Sequence, residues 1–144
     1  MELFLVAHVA DRPVAIPAEQ VDSVVDLTEI VPVPGAPPSL RGLAALRSRV
    51  VTVIDTGLAL GLEATPDAAR RAVISRVEGH FYAVLVDALE DVAPFERLPL
   101  AGLRLGAGWA DAGSGLIERD GELVLVIDLP RLVPGHSAAA PLAA

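Results

Sequence analysis

The residues most open to a chemical role are Asp55 and Asp128. Each ends an apolar run, VVTVID and LVLVID, and paired carboxylates are common apparatus for general acid–base work. An aspartate between a strand and a short helix is also the residue that caps exposed amides. The two stand at equivalent places in a repeat rather than facing each other, so capping is the expected role of both.

The other candidate groups thin out quickly. His8, His80 and His136 show no metal-ligand spacing, and no metal site is expected. The chain has no cysteine, and its eleven basic residues are all arginine. That excludes disulfides, thiolate ligands, cysteine nucleophiles, Schiff-base lysines and the P-loop lysine. Ser114 lies in AGSGL, without the first glycine of a nucleophile elbow. Gly102, Gly106 and Gly108 do not make a dinucleotide fingerprint. Trp109 is expected to plug an apolar core rather than stack on a ligand. No catalytic residue and no cofactor are expected; a small ligand-binding or enzymatic barrel is the less favoured alternative.

Between Glu29 and Asp55 there is no carboxylate, yet Arg41, Arg47 and Arg49 all fall there, in a chain of net charge −8. Arginine in a tight turn beside apolar strands suits a bidentate contact with a partner's carboxylate. The acidic balance opposes nucleic-acid and anionic-membrane binding.

The 144 residues, 53% of them hydrophobic, support one compact domain or two half-size units sharing a core. The longest apolar runs are a strand long, far short of the roughly 20 residues of a spanning helix. The N-terminus has no positively charged region and does not read as a secretory signal, so a cytoplasmic location is expected.

Short Val/Ile/Leu runs bounded by turn residues predict an all-β chain. Strands are expected at 4–9, 14–16, 21–27, 43–46, 50–54, 72–77, 81–86, 89–92 and in a hairpin over 116–123 with Asp120-Gly121 at its tip. Pro17 to Gln20 reads as one helical turn, Pro32 to Pro38 as a shaped loop, and 94–113 as a Gly/Pro-rich connection. The tail, 136–144, is expected to be flexible.

Residues 42–55 align without gaps on 115–128, with six of fourteen positions identical. A shift of 68 places Ala15 on Ala83, and Val21 to Val24 on Leu89 to Val92. The order of matched blocks is the same in both halves, which points to duplication. Each half would be a small barrel of about five strands, too small to stand alone, with a groove between the halves as the default binding site.

Three segments resemble the CheW-like coupling proteins of bacterial chemotaxis: FLVAHVADRPVAI (4–16), VPGAPPSLRGLAALRSRVVTVID (33–55) and SGLIERDGELVLVIDLPRL (114–132). The resemblance implies two interlocked five-stranded SH3-like β-barrels with short helices in one domain, 1–135. The subdomains would be roughly 14–62 and 72–128 with exchanged terminal segments. It implies a non-enzymatic signalling adaptor that joins a chemoreceptor cytoplasmic helical hairpin to the regulatory domain of a chemotaxis histidine kinase. By resemblance, Gly42 and Arg47 fall at kinase-binding positions, and Leu5, Ala18, Val21 and Val24 at receptor-binding ones. The chain departs from the family signature at Ala45, Ser48 and Thr52, where asparagine, glycine and proline are usual. That leaves a second reading, a specialised module that binds one partner or competes with a standard coupler.

Overall fold

The computed structural model describes residues 1–101 and 103–134. The tail expected to be flexible therefore lies outside the described residues. Ten strands run in chain order: β1 (Glu2–Val9), β2 (Arg12–Pro17), β3 (Ser23–Asp26), β4 (Leu40–Leu46), β5 (Arg49–Ile54), β6 (Arg71–Val77), β7 (His80–Leu85), β8 (Ala88–Phe95), β9 (Gly113–Arg119) and β10 (Glu122–Ile127). Two short α-helices, α1 (Thr56–Ala59) and α2 (Ala107–Ala112), and 3-10 turns at Ala18–Gln20 and Leu129–Leu132 complete the described elements. Helix α2 falls within the connection read as irregular from its Gly/Pro content. It forms because Ala107-Gly108-Trp109-Ala110 buries Trp109 and lets Gly108 approach Leu60, whose carbonyl oxygen a Cβ at 108 would meet at 1.8 Å.

The strands form two five-stranded sheets, β8-β1-β2-β10-β9 and β3-β6-β7-β5-β4. If β6 to β10 are the second copy of β1 to β5, both sheets have the same order, and each takes strands one and two from one copy and three to five from the other. The two halves of the chain are therefore fully exchanged, and neither forms a sheet from its own strands. The register repeats as well. Val126 pairs in parallel with Ala15, and Val53 in parallel with Ala83. Both glycine-bearing hairpins carry a register shift at the same place, beside Leu40 in one and Gly113 in the other. The chain leaving β3 bridges β4 at Val31–Leu43, and the chain leaving β8 bridges β9 at Leu98–Leu116, so each sheet is linked across its two edges.

The exchange explains the apolar runs. Along β2, Val14 and Ile16 enter a core that also contains Ile54, Val73, Val84 and Trp109, whereas Ala15 faces Phe4 and Val126 inside its own sheet. Along β7, Val84 enters the shared core and Ala83 and Leu85 a third cluster with Val51, Val53 and Ile74. Strands buried on both faces lose the alternation of apolar and polar residues. The edge strand β3 keeps it, with Ser23 and Val25 half-buried and Val24 and Asp26 exposed.

Because both sheets draw strands from both halves, cutting the chain at Thr65 removes partners from every strand of the shared core. Fragments 1–64 and 65–144 should each lack a cooperative thermal transition by circular dichroism, with native signal returning on mixing. Two separately folded fragments would contradict the exchanged architecture.

Candidate functional site

The β4–β5 hairpin is built from its base. Asp55 is 2% exposed; its Oδ1 accepts hydrogen bonds from the amides of Leu58 (3.1 Å) and Thr65 (2.9 Å), and its Oδ2 lies 2.6 Å from Arg41 Nη2. The expected cap of α1 is thus present, and it also ties down the 63–70 segment. Arg41 donates to the Thr65 carbonyl too, and the Gly57 amide donates to Thr65 Oγ1 at 3.1 Å. Burial opposes the charge on Asp55, but the Thr65 and Leu58 amides and Arg41 outweigh it and hold the carboxyl below its ordinary value. Arg41, which the sequence groups with Arg47 and Arg49 as either partner-facing or solvated, is an internal strut.

Asp128 does not repeat this role. Its side chain accepts no capping hydrogen bond from the following turn. Its Oδ1 accepts instead from Gln20 Nε2 (3.1 Å) and Ser114 Oγ (3.2 Å), and its Oδ2 lies 3.3 Å from Arg131. Position 41 of the first copy corresponds to Ser114 in the second, so a hydroxyl replaces the guanidinium and the carboxylate turns to other partners. The two aspartates share no hydrogen-bond partner, and the expectation of equivalent caps fails for Asp128.

Gly42 sits where β4 passes the incoming loop. A Cβ there would meet the Val31 carbonyl oxygen at 2.3 Å, while Val31 and Leu43 exchange two backbone hydrogen bonds of 2.8 and 2.9 Å. Gly42 is buried, and its close approach to Val31 seats the hairpin. Arg47 is exposed at the tip in the left-handed region, φ +58°. Beside it, the Arg49 guanidinium lies over the Phe81 ring at 3.9 Å, and Arg76 approaches the same ring at 5.5 Å. Sequence reading missed Phe81 and Arg76, because residues on β5, β6 and β7 converge only through sheet pairing.

The second set separates. Ala18, which opens a 3-10 turn packed on β1, and Val21 are half-buried, and Val21 packs against the shared core. Val24 is 42% exposed on edge strand β3. Leu5, expected to line a groove, is corrected to a core residue: it is 5% exposed and packed with Ile16, Val73 and Trp109 in the shared cluster. The repeat equivalent of Val24 is Val92, also exposed, and it pairs across the strands with Leu5. Among the described residues no group of three or more His, Cys, Asp or Glu could hold a metal ion, and no helix is long and apolar enough to cross a membrane.

The fold and the hairpin can now be set against known proteins. The family model described as the CheW-like domain matches residues 3–136. The chain belongs to the CheW-like family. It is 20% identical over 126 residues to the chemotaxis protein CheW of Thermotoga maritima, covering 88% of this chain and 83% of that protein. It superposes on the scaffolding protein TtCheW from Thermoanaerobacter tengcongensis with a TM-score of 0.80 at 21% identity, over 96% of this chain and 97% of that one. That likeness shows the fold: the two exchanged five-stranded sheets are those of a CheW-like scaffold.

The Asp55 network predicts an acid-sensitive CheW-like domain. A carboxyl whose folded value is lowered stabilises the fold fully above its unfolded value of about 3.9 and loses that contribution as the pH falls through and below it. Asp55→Asn should cost about 2–4 kcal/mol at pH 7 by stranding Arg41 and weakening the cap. Urea melts at pH 7 and pH 3 should then show a smaller loss on acidification for the variant than for the wild type.

Proposed function

We propose that this CheW-like protein is a non-catalytic cytoplasmic adaptor that couples a chemoreceptor helical hairpin to the regulatory domain of a chemotaxis histidine kinase. One observation carries the reading: the family match runs over nearly the whole chain and includes the signature hairpin, whose base is locked by Asp55 and whose Arg47 is displayed at the tip. An arginine held this way offers a planar pair of donors to a carboxylate or carbonyl group. The kinase would meet Arg47, with Gly42 setting the hairpin's pose. The receptor hairpin would meet the strip of Ala18, Val21 and Val24, where apolar side chains reach the surface beside the shared core.

A second reading, a module that keeps one partner, draws support from the turn itself. In the second copy the equivalent turn is Asp120-Gly121, with φ +52° and +83°. In the first, Arg47 has positive φ and Ser48 does not, so the tip of β4–β5 follows a different path from that of the glycine-containing turn. Ala45 likewise offers no side-chain amide to its neighbours.

Calorimetric titration against each partner separates the two readings. Arg47→Ala should weaken kinase binding by about 1.5–3 kcal/mol, the scale of a charged hydrogen bond, and leave the receptor hairpin unaffected. Val24→Asp should weaken receptor binding about tenfold or more and spare the kinase. Ala45→Asn with Ser48→Gly should strengthen kinase binding alone. Kinase affinity that ignores every change at 45, 47 and 48 would end the role assigned to this turn.

A further inference from the structure

Arg12 opens β2 and is exposed, and like Arg47, Arg49, Arg70, Arg76 and Arg104 it joins no ion pair among the described residues. What sets it apart is its surroundings. Its Cζ lies 5.3 Å from the centroid of the Trp109 ring, and it borders a cavity of about 230 Å³. The cavity floor is one row across three neighbouring strands, in which Leu125 of β10 pairs with Val14 of β2 on one side and with Leu116 of β9 on the other. Trp109 and Leu105 form a wall, and Leu103 and Leu123, 42% and 57% exposed, stand at the mouth.

No lining residue but Arg12 carries a charge. A dry cavity of about 150 Å³ lined by apolar side chains already holds benzene, so this one has room for a single ring or a branched alkyl group on a short stem. Glu118, which pairs with Leu123 at the outer end of the floor, is exposed and outside the lining. A larger cavity, of about 790 Å³, also touches Arg12 and Trp109, but Asp11, Glu63 and Asp87 border it and repel an anion. An anion that reaches Arg12 is therefore drawn to the smaller one. The indole holds the guanidinium in place, which reduces the side-chain freedom lost when it is engaged. Its planar fork matches a carboxylate.

We infer that the smaller cavity binds a monocarboxylate with one aromatic ring or branched alkyl group. Arg12 holds the carboxylate by a two-point contact at the rim, and the hydrocarbon body lies between Trp109 and the leucines. None of the residues assigned to the kinase or the receptor lines this cavity, so the site does not depend on the adaptor reading. One charged fork and a ring's worth of apolar contact support an affinity on the order of 0.1–1 mM.

The chain has a single tryptophan, Trp109, so its fluorescence reports the site directly. Titration of the full chain with phenylacetate should give a saturable change. Phenethyl alcohol and phenethylamine keep the body but not the negative charge, and should bind about tenfold more weakly or not at all. Acetate, which lacks the body, should not bind. Arg12→Gln should weaken phenylacetate binding about tenfold or more, and Arg12→Lys should restore only part of it, since an ammonium cannot reproduce the fork. Leu105→Phe, which fills the cavity from its wall, should weaken the acid and the alcohol alike. Arg12 is exposed, so its variants leave the core intact, and thermal melts check the fold of all three. No saturable change up to about 10 mM, equal binding of acid and alcohol, or an acid affinity unmoved by Arg12→Gln or by Leu105→Phe would each overturn the proposal.

Discussion

Everything in this fold depends on the burial of four strands on both faces. Strands β1, β2, β6 and β7 each present one set of side chains to their own sheet and the other to the shared core between sheets. A sheet face left in water would lose the stabilisation of about 25 cal/mol for each Å² of apolar area. Exchange of strands between the two repeats buries both faces of these strands. The parallel pairings of β2 with β10 and of β5 with β7 are the seams at which one half enters the other's sheet.

On that symmetric frame, single substitutions have given the two halves different work. Arg41 in one copy and Ser114 in the other decide whether the strand-ending aspartate is locked into a buried ion pair or drawn toward Gln20 and Arg131. The first arrangement anchors the 63–70 segment and the base of the signature hairpin. The second ties the Ala18–Gln20 turn, where the chain leaves β2, to the end of the neighbouring strand β10. The same divergence reaches the hairpin tips, one of which carries arginine where the other carries carboxylates.

Much of this was legible in the residues. Strand positions, the Asp120-Gly121 turn and the duplication followed from short-range pattern, because alternation and turn chemistry are local properties. Exchange between halves was not, since a repeat states which segments are equivalent but not which of them pair. It entered through family resemblance, and the repeated sheet order gives it a physical basis. Leu5 and Arg41 show the same limit at single residues: an apolar side chain and a cation were identified by type, but whether each faces solvent or the interior is decided by strands distant in sequence. Helix α2 was missed because its glycine content argued against a helix, while the close approach of Gly108 to Leu60 that requires that glycine is a tertiary contact.

The exchanged topology also sets a timetable for synthesis. The strands of one sheet lie within residues 23–85, so that sheet has all its strands soon after the chain's midpoint has been made. The other holds β1 and β2 but needs β8, β9 and β10, the last of which ends at Ile127. At about 5–20 residues per second, the first hairpin waits several seconds for its flanking strands, with both of its edges and its Phe4 and Ala15 face uncovered. The β1–β2 hairpin, made before the other eight strands, is thus among the last to be enclosed, and the growing domain's exposure to chaperones and to neighbouring chains is concentrated there.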